Sequence, residues 1–221
     1  CPYGEKSPEE VRELAFAQTR RLLELGCKAV VVACNTATAA AIDDLRREFP
    51  EVPFVGMEPA VKPAALSSKS GVVGVLATRG TFNGRLYRAT CERFASETTV
   101  LMCAADDFVE LVERGETGSE NAQRIVRRRV EPLLDAGADI LVLGCTHFPF
   151  LRTLIESVAA GRARIIDPAP AVARQVERVL AERGLLSRRA ADEARDVFET
   201  TGDLAAFEKF VKSVKENVRE K

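Results

Sequence analysis

One fifteen-residue pattern occurs twice in this chain, over 22–36 and again over 133–147. Each copy opens on a leucine pair, passes a glycine and runs through apolar residues to a cysteine eight positions after that glycine: Gly26 with Cys34, Gly137 with Cys145. A short apolar run preceded by a helical pattern and glycine reads as a parallel strand buried on both faces. Two copies, rather than many, predict two similar halves and not a solenoid. The repeat therefore restricts the chain to an α/β architecture.

The rest of the sequence keeps that alternation. A helix is predicted from Pro8, capped by Ser7 with Glu10 completing a capping box, and ending at Gly26. Strands are predicted at 29–33, 52–55, 71–77, 99–103, 140–143 and 163–166. Helices are predicted at 36–48, 82–94, 108–114, 119–136, 150–159 and 170–183. From Asp196 the tail offers a possible strand and a final amphipathic helix. Pro59, Pro63 and the segment 67–70 mark one boundary, and Pro168 with Pro170 a second. The expected organisation is two domains of mainly parallel sheet flanked by helices. Residues 1–66 plus 169–221 carry Cys34, residues 67–168 carry Cys145, and an active-site cleft lies between them.

With 221 residues, of which 46% are hydrophobic and 29% charged, the chain can bury a substantial core. A net charge of −1 gives no pull towards nucleic acid or an anionic membrane. The basic cluster at 124–129 falls on a helix and is expected to be a solvated face. No apolar stretch reaches bilayer length and no secretory signal is visible, so a cytoplasmic protein with reduced thiols is expected. The six cysteines lack the short paired spacings of a zinc site, and no metal is expected. The sequence opens on Cys1 rather than Met, and part of a longer translation product is expected.

In open α/β sheets ligands gather beyond the carboxyl ends of strands. Cys34 and Cys145 both stand there, each before a small polar segment that leads into a helix. A free thiol ionises near pH ~8.5, and a helix N-terminus lowers that value. Ionisation of both thiols is therefore expected to be favoured. Taken singly, each cysteine reads as a small hydrophobe; Cys1, Cys27, Cys91 and Cys103 are left with that reading. The matched pair differs, because His147, the one histidine of the chain, follows Cys145 by two residues and reads as its proton partner. Two facing thiols suit one chemistry well. One removes a proton from carbon, the other delivers a proton to the opposite face, and a stereocentre inverts. No G-x-G-x-x-G follows a strand and no phosphate loop is present, so no cofactor is expected.

Six segments, in order, carry a resemblance: 2–4, 33–37, 56–59, 77–81, 108–113 and 143–147. Through them the chain resembles the cofactor-independent glutamate racemases of the aspartate/glutamate racemase superfamily. The resemblance implies that Cys34 exchanges the α-proton on the D-glutamate side and Cys145 on the L-glutamate side, assisted by His147. It implies that Pro2, Tyr3, Gly4, Asn35, Thr36 and Thr146 hold the amino acid, with Thr78 and Thr81 nearby and Glu113 as an acid close to the site. From the residues alone, Tyr3 also reads as a loop aromatic over the core, Thr78 and Thr81 as helix caps and Glu113 as a solvated helix residue; Glu58 is a weaker candidate. The family begins with a strand and an Asp-Ser-Gly loop that do not precede Cys1, a piece on the order of 30 residues, and it often has Tyr where this chain has Phe148. The resemblance further implies a homodimer that supplies D-glutamate to peptidoglycan synthesis. Three other readings stay open at this level: a racemase of aspartate or a hydantoin, an inactive amino-acid-binding protein on the same fold, and thiol redox or adventitious metal chemistry at Cys145 and His147.

Overall fold

Helices and strands alternate through a computed structural model that describes residues 2–94, 98–188 and 193–219. In chain order they are α1 (Pro8–Glu24), β1 (Val30–Val32), α2 (Asn35–Glu48), β2 (Phe54–Gly56), α3 (Val61–Ser67), β3 (Val72–Ala77), α4 (Arg79–Asn83), α5 (Arg85–Phe94), β4 (Thr99–Ala104), α6 (Asp106–Glu113) and α7 (Glu120–Asp135). There follow β5 (Ile140–Gly144), a 3-10 turn (Phe148–Leu151), α8 (Arg152–Ala159), β6 (Arg164–Ile166), α9 (Ala169–Glu182) and α10 (Leu204–Arg219).

Both copies of the repeat close in the same way. After α1, Gly26 at φ +81° lets the Cys27 N–H donate back to the Leu22 carbonyl at 3.0 Å. After α7, Gly137 at φ +91° lets the Ala138 N–H donate to the Leu133 carbonyl at 3.0 Å. A left-handed residue at this point satisfies carbonyls that the helix end would orphan, and only glycine adopts it without a side-chain penalty. The chain then turns directly into β1 or β5. At the other end of α1 the predicted capping box forms: Glu10 N–H donates to Ser7 Oγ at 3.2 Å, and Ser7 N–H to the Glu10 carboxylate at 2.9 Å.

Among the described residues every strand pairing is parallel. β1 lies beside β2, and the second sheet has the order β4-β3-β5-β6. β3 and β5 are the inner strands of the larger sheet, and all five residues of β5 are buried, which is why its sequence is apolar without alternation. Val73, Val75, Ile140 and Val142 build that core with Val61 and Ala64 of α3. The smaller sheet is covered by Ala41, Ile42 and Leu45 of α2, and by a file of rings in which Phe16, Phe49 and Phe54 stand 6.1 and 6.3 Å apart. Both sheets lie within one compact unit, Cys1–Leu185; a second unit, Leu186–Lys221, holds α10. Among the described residues no helix is long and apolar enough to cross a membrane.

Two expectations are corrected. The single helix predicted at 82–94 is two, α4 and α5, separated at Gly84; a Cβ there would come within 2.6 Å of Ala39 Cβ, so glycine is what lets this corner lie against α2. α3 is an element the sequence pattern does not predict; Pro63 sits in its first turn, where no N–H is needed. The possible strand from Asp196 does not form: residues 196–200 are irregular. The basic cluster is the solvated face expected, with Arg124, Arg127 and Arg128 exposed, and Arg128 and Arg129 reach Asp107 at 3.1 and 2.9 Å.

Candidate active site

Cys34 occupies the N-cap position of α2, where the Ala37 N–H donates to its Sγ at 3.5 Å. The next two residues turn inward and are buried. Thr36 Oγ1 lies 3.0 Å from Thr78 Oγ1 and 3.4 Å from Thr81 Oγ1, and the last two are 3.1 Å apart. Three hydroxyls, each with one proton to give, close a ring of three hydrogen bonds. That ring replaces the capping reading: Thr78 stands at the N-cap of α4, but its side chain makes no cap hydrogen bond. Gly80 permits the arrangement, since a Cβ there would sit 2.7 Å from Thr36 Cγ2. Asn35 is 4% exposed, and both its amide oxygen and its amide nitrogen are buried without a partner among the described residues. Such a group costs about 1–3 kcal/mol unless something bonds to it. Half-buried Tyr3 lies close enough for its hydroxyl to be pushed up, by burial first and then by the charge of Cys34.

Cys145 follows β5 directly and faces a different set of groups. His147 Nδ1 is 3.8 Å from Cys145 Sγ, and His147 Nε2 is 2.7 Å from Glu113 Oε1 at the last residue of α6. The ring is thus held at both nitrogens. With the Nε2 proton donated to the carboxylate, Nδ1 presents a lone pair to the thiol. Packing fixes this geometry: Phe108 of α6 and Phe148, next to His147, are both fully buried, with ring centroids 5.1 Å apart in an edge-to-face contact. Glu113, exposed as the residue-level reading had it, is therefore tied to the one histidine.

The expectation of favoured thiolates is reversed. Burial pushes the Cys34 thiol up, against hydrogen bonds from the Ala37 and Thr36 backbone that pull it down. Burial pushes Cys145 up to about 12; the N–H groups of His147 and Thr146 oppose this, while the charges of Cys34 and Asp106 add to it. Loss of water around a small anion outweighs the hydrogen bonds from those N–H groups.

Among the other candidates, Thr146 is half-buried beside Cys145, Gly4 is half-buried against Thr78, and Pro2 is exposed. Glu58 is exposed and accepts from Thr90 Oγ1 at 3.1 Å. Cys91 and Cys103 are half-buried, Cys27 is exposed, and Cys1 lies outside the described residues. No group of three or more His, Cys, Asp or Glu among the described residues is placed to hold a metal ion. Sequence reasoning does not reach Asp106, which carries no motif, and assigns no role to Arg79 within segment 77–81.

The profile of the Asp/Glu/Hydantoin racemase family matches residues 2–176. A glutamate racemase from Roseiflexus sp. (strain RS-1) is 47% identical over 207 residues, covering 94% of this chain and 76% of that protein. One from Ectopseudomonas mendocina (strain ymp) is 46% identical over 203 residues, covering 92% and 76%. Among solved structures, Escherichia coli glutamate racemase in complex with L-glutamate and the activator UDP-MurNAc-ala is 36% identical with a TM-score of 0.74, covering 81% of this chain and 68% of that one. The Bacillus anthracis glutamate racemase isoform RacE1 is 30% identical with a TM-score of 0.84, covering 98% and 80%. The chain belongs to the Asp/Glu/Hydantoin racemase family.

Proposed function

We propose that this protein interconverts L-glutamate and D-glutamate without a cofactor, with Cys145 and Cys34 exchanging the α-proton on opposite faces. The observation that carries the reading is a pair of half-buried cysteines at matched strand ends, Cys34 at the start of α2 beside the unpartnered Asn35 amide and Cys145 3.8 Å from His147 Nδ1. The glutamate racemases to which the chain is similar support the substrate.

In the L-to-D direction the Cys145 thiol passes its proton to His147 Nδ1, and Glu113 steadies the imidazolium. The thiolate takes the α-proton of L-glutamate; the electron pair stays on carbon, delocalised into the α-carboxylate. The Cys34 thiol gives its proton to the other face, forming D-glutamate and leaving a thiolate at Cys34. High proton affinity makes thiolates scarce at rest but strong bases once formed, which suits abstraction from carbon. Asn35, Thr36, Thr146 and the Tyr3-Gly4 segment hold the amino acid, and backbone N–H groups oppose the charge that develops on the α-carboxylate. Pro2, Thr78 and Thr81 support that pocket.

The smaller sheet lies within residues 1–66 and the larger within residues 67–168, which supports a division between those two segments. A cytoplasmic homodimer feeding D-glutamate to peptidoglycan synthesis completes the reading. Circular dichroism of L-glutamate solutions tests it: the signal decays to zero with the protein and stays constant with Cys34→Ser or Cys145→Ser. Faster decay with L-aspartate or a hydantoin would reassign the substrate. Calorimetric binding of glutamate without any decay would make the protein a binding module.

A further inference from the structure

Helix α6 has eight residues, and its two ends meet different parts of the site. Glu113 at its end holds His147. Asp106 at its start, about 10 Å away along the axis at 1.5 Å per residue, meets the segment that carries Tyr3 and Gly4. Asp106 Oδ1 accepts the Arg79 N–H at 3.3 Å, and Asp106 Oδ2 lies 3.2 Å from Arg79 Nε. Another nitrogen of that guanidinium, Nη2, is 3.7 Å from Glu5 Oε1. Asp106 is also the seat of the segment: a Cβ on Gly4 would stand 2.9 Å from Asp106 Oδ1 and 2.9 Å from Thr78 Cβ.

An exposed ion pair such as Arg79 with Glu5 contributes little alone. Here the guanidinium is anchored on a carboxylate only 18% exposed, which also accepts a backbone N–H. Gly4 and Glu5 therefore meet one acid by two routes, directly and through Arg79. We propose that Asp106 and Arg79 are positioning residues, a clamp that holds the Tyr3-Gly4-Glu5 segment against the substrate site and so sets affinity for the amino acid. The proposal rests on the glutamate racemase reading for its kinetic readout alone.

Asp106→Asn, Arg79→Gln and the double variant test it in two ways. The Lys6 N–H donates to the Tyr3 carbonyl at 3.2 Å and reports closure of the segment. Hydrogen–deuterium exchange at Lys6 rises about fivefold or more in each variant. KM for L-glutamate rises about fivefold in each variant, kcat of Arg79→Gln stays within about twofold, and KM of the double variant matches the singles instead of multiplying to about twenty-fivefold. Unchanged exchange at Lys6, additive effects on KM, or a fall in kcat at constant KM in Arg79→Gln would overturn the clamp. If the unsubstituted protein leaves glutamate untouched, the racemase reading fails, and exchange at Lys6 still decides the clamp.

Discussion

Cys34 and Cys145 end matching strands that follow matching glycine-closed helices, and burial raises the proton affinity of both. Their neighbours differ. Cys145 faces an imidazole tied to a carboxylate that is half exposed, so a titratable path leads from sulfur to water. Among the described residues, the side chains placed around Cys34 are neutral hydrogen-bonding groups, Tyr3, Asn35 and Thr36. The duplicated pattern thus fixes where two sulfurs stand; residues outside the duplication decide how each one loses and regains its proton.

That contrast has measurable consequences. The largest concerns the cysteines. Either Cys→Ser variant loses racemisation by about a thousandfold or more, within the range for removing a positioned acid or base. L- and D-glutamate have equal free energies, so kcat/KM is the same in both directions for every variant, and the asymmetry has to be sought in isotope exchange. Cys34→Ser, retaining Cys145 and His147, washes the α-proton of L-glutamate into heavy water without inversion. Cys145→Ser shows no comparable washout of D-glutamate, and equal washout in the two variants would remove the distinction between the sulfurs.

Next comes the packing beneath the histidine. Phe148→Ala opens a cavity against Phe108 and costs about 3–5 kcal/mol, read as a lower urea midpoint. Glu113→Gln keeps the ring in place but removes the charge that steadies the imidazolium, and lowers kcat about tenfold with the urea midpoint unchanged.

The smallest effect lies at the clasp before β3. Burial raises the Asp139 carboxyl, but hydrogen bonds from Ser68, Lys69 and Ser70 outweigh it and hold the group down at about 2. Because the folded value lies below the ordinary one, this stabilisation is complete above about pH 4 and is lost as the pH falls through about 2. Asp139→Asn lowers stability by about 1 kcal/mol at neutral pH, a figure reduced for partial exposure, and flattens the acid limb of a stability-against-pH curve.

The glycine closures, the strand-end thiols and the parallel sheets were legible because each depends on local periodicity and on residues with a single conformational use, Gly26 and Gly137 above all. Tyr3, Asn35 and Glu113 were legible through the resemblance alone, since no spacing along the chain brings position 113 to position 147. Three things were hidden. Prolines hid α3, because Pro63 serves equally to break a chain or to start a helix. The direction of the thiol shifts depends on burial, which a helix-start signal does not report. Asp106 carries no motif and gains its meaning from Gly4 and Arg79, both distant in sequence.

Early-turnover isotope partition bears most directly on the two opposed sulfurs. L-glutamate carrying ordinary hydrogen is incubated with the protein in heavy water, and the first few per cent of D-glutamate is analysed by mass spectrometry. Every D-glutamate molecule should carry deuterium at the α-carbon, since its proton comes from Cys34, while the unreacted L-glutamate remains largely protiated. D-glutamate retaining the original α-hydrogen would mean that one group serves both faces, and the two-sulfur mechanism would be wrong.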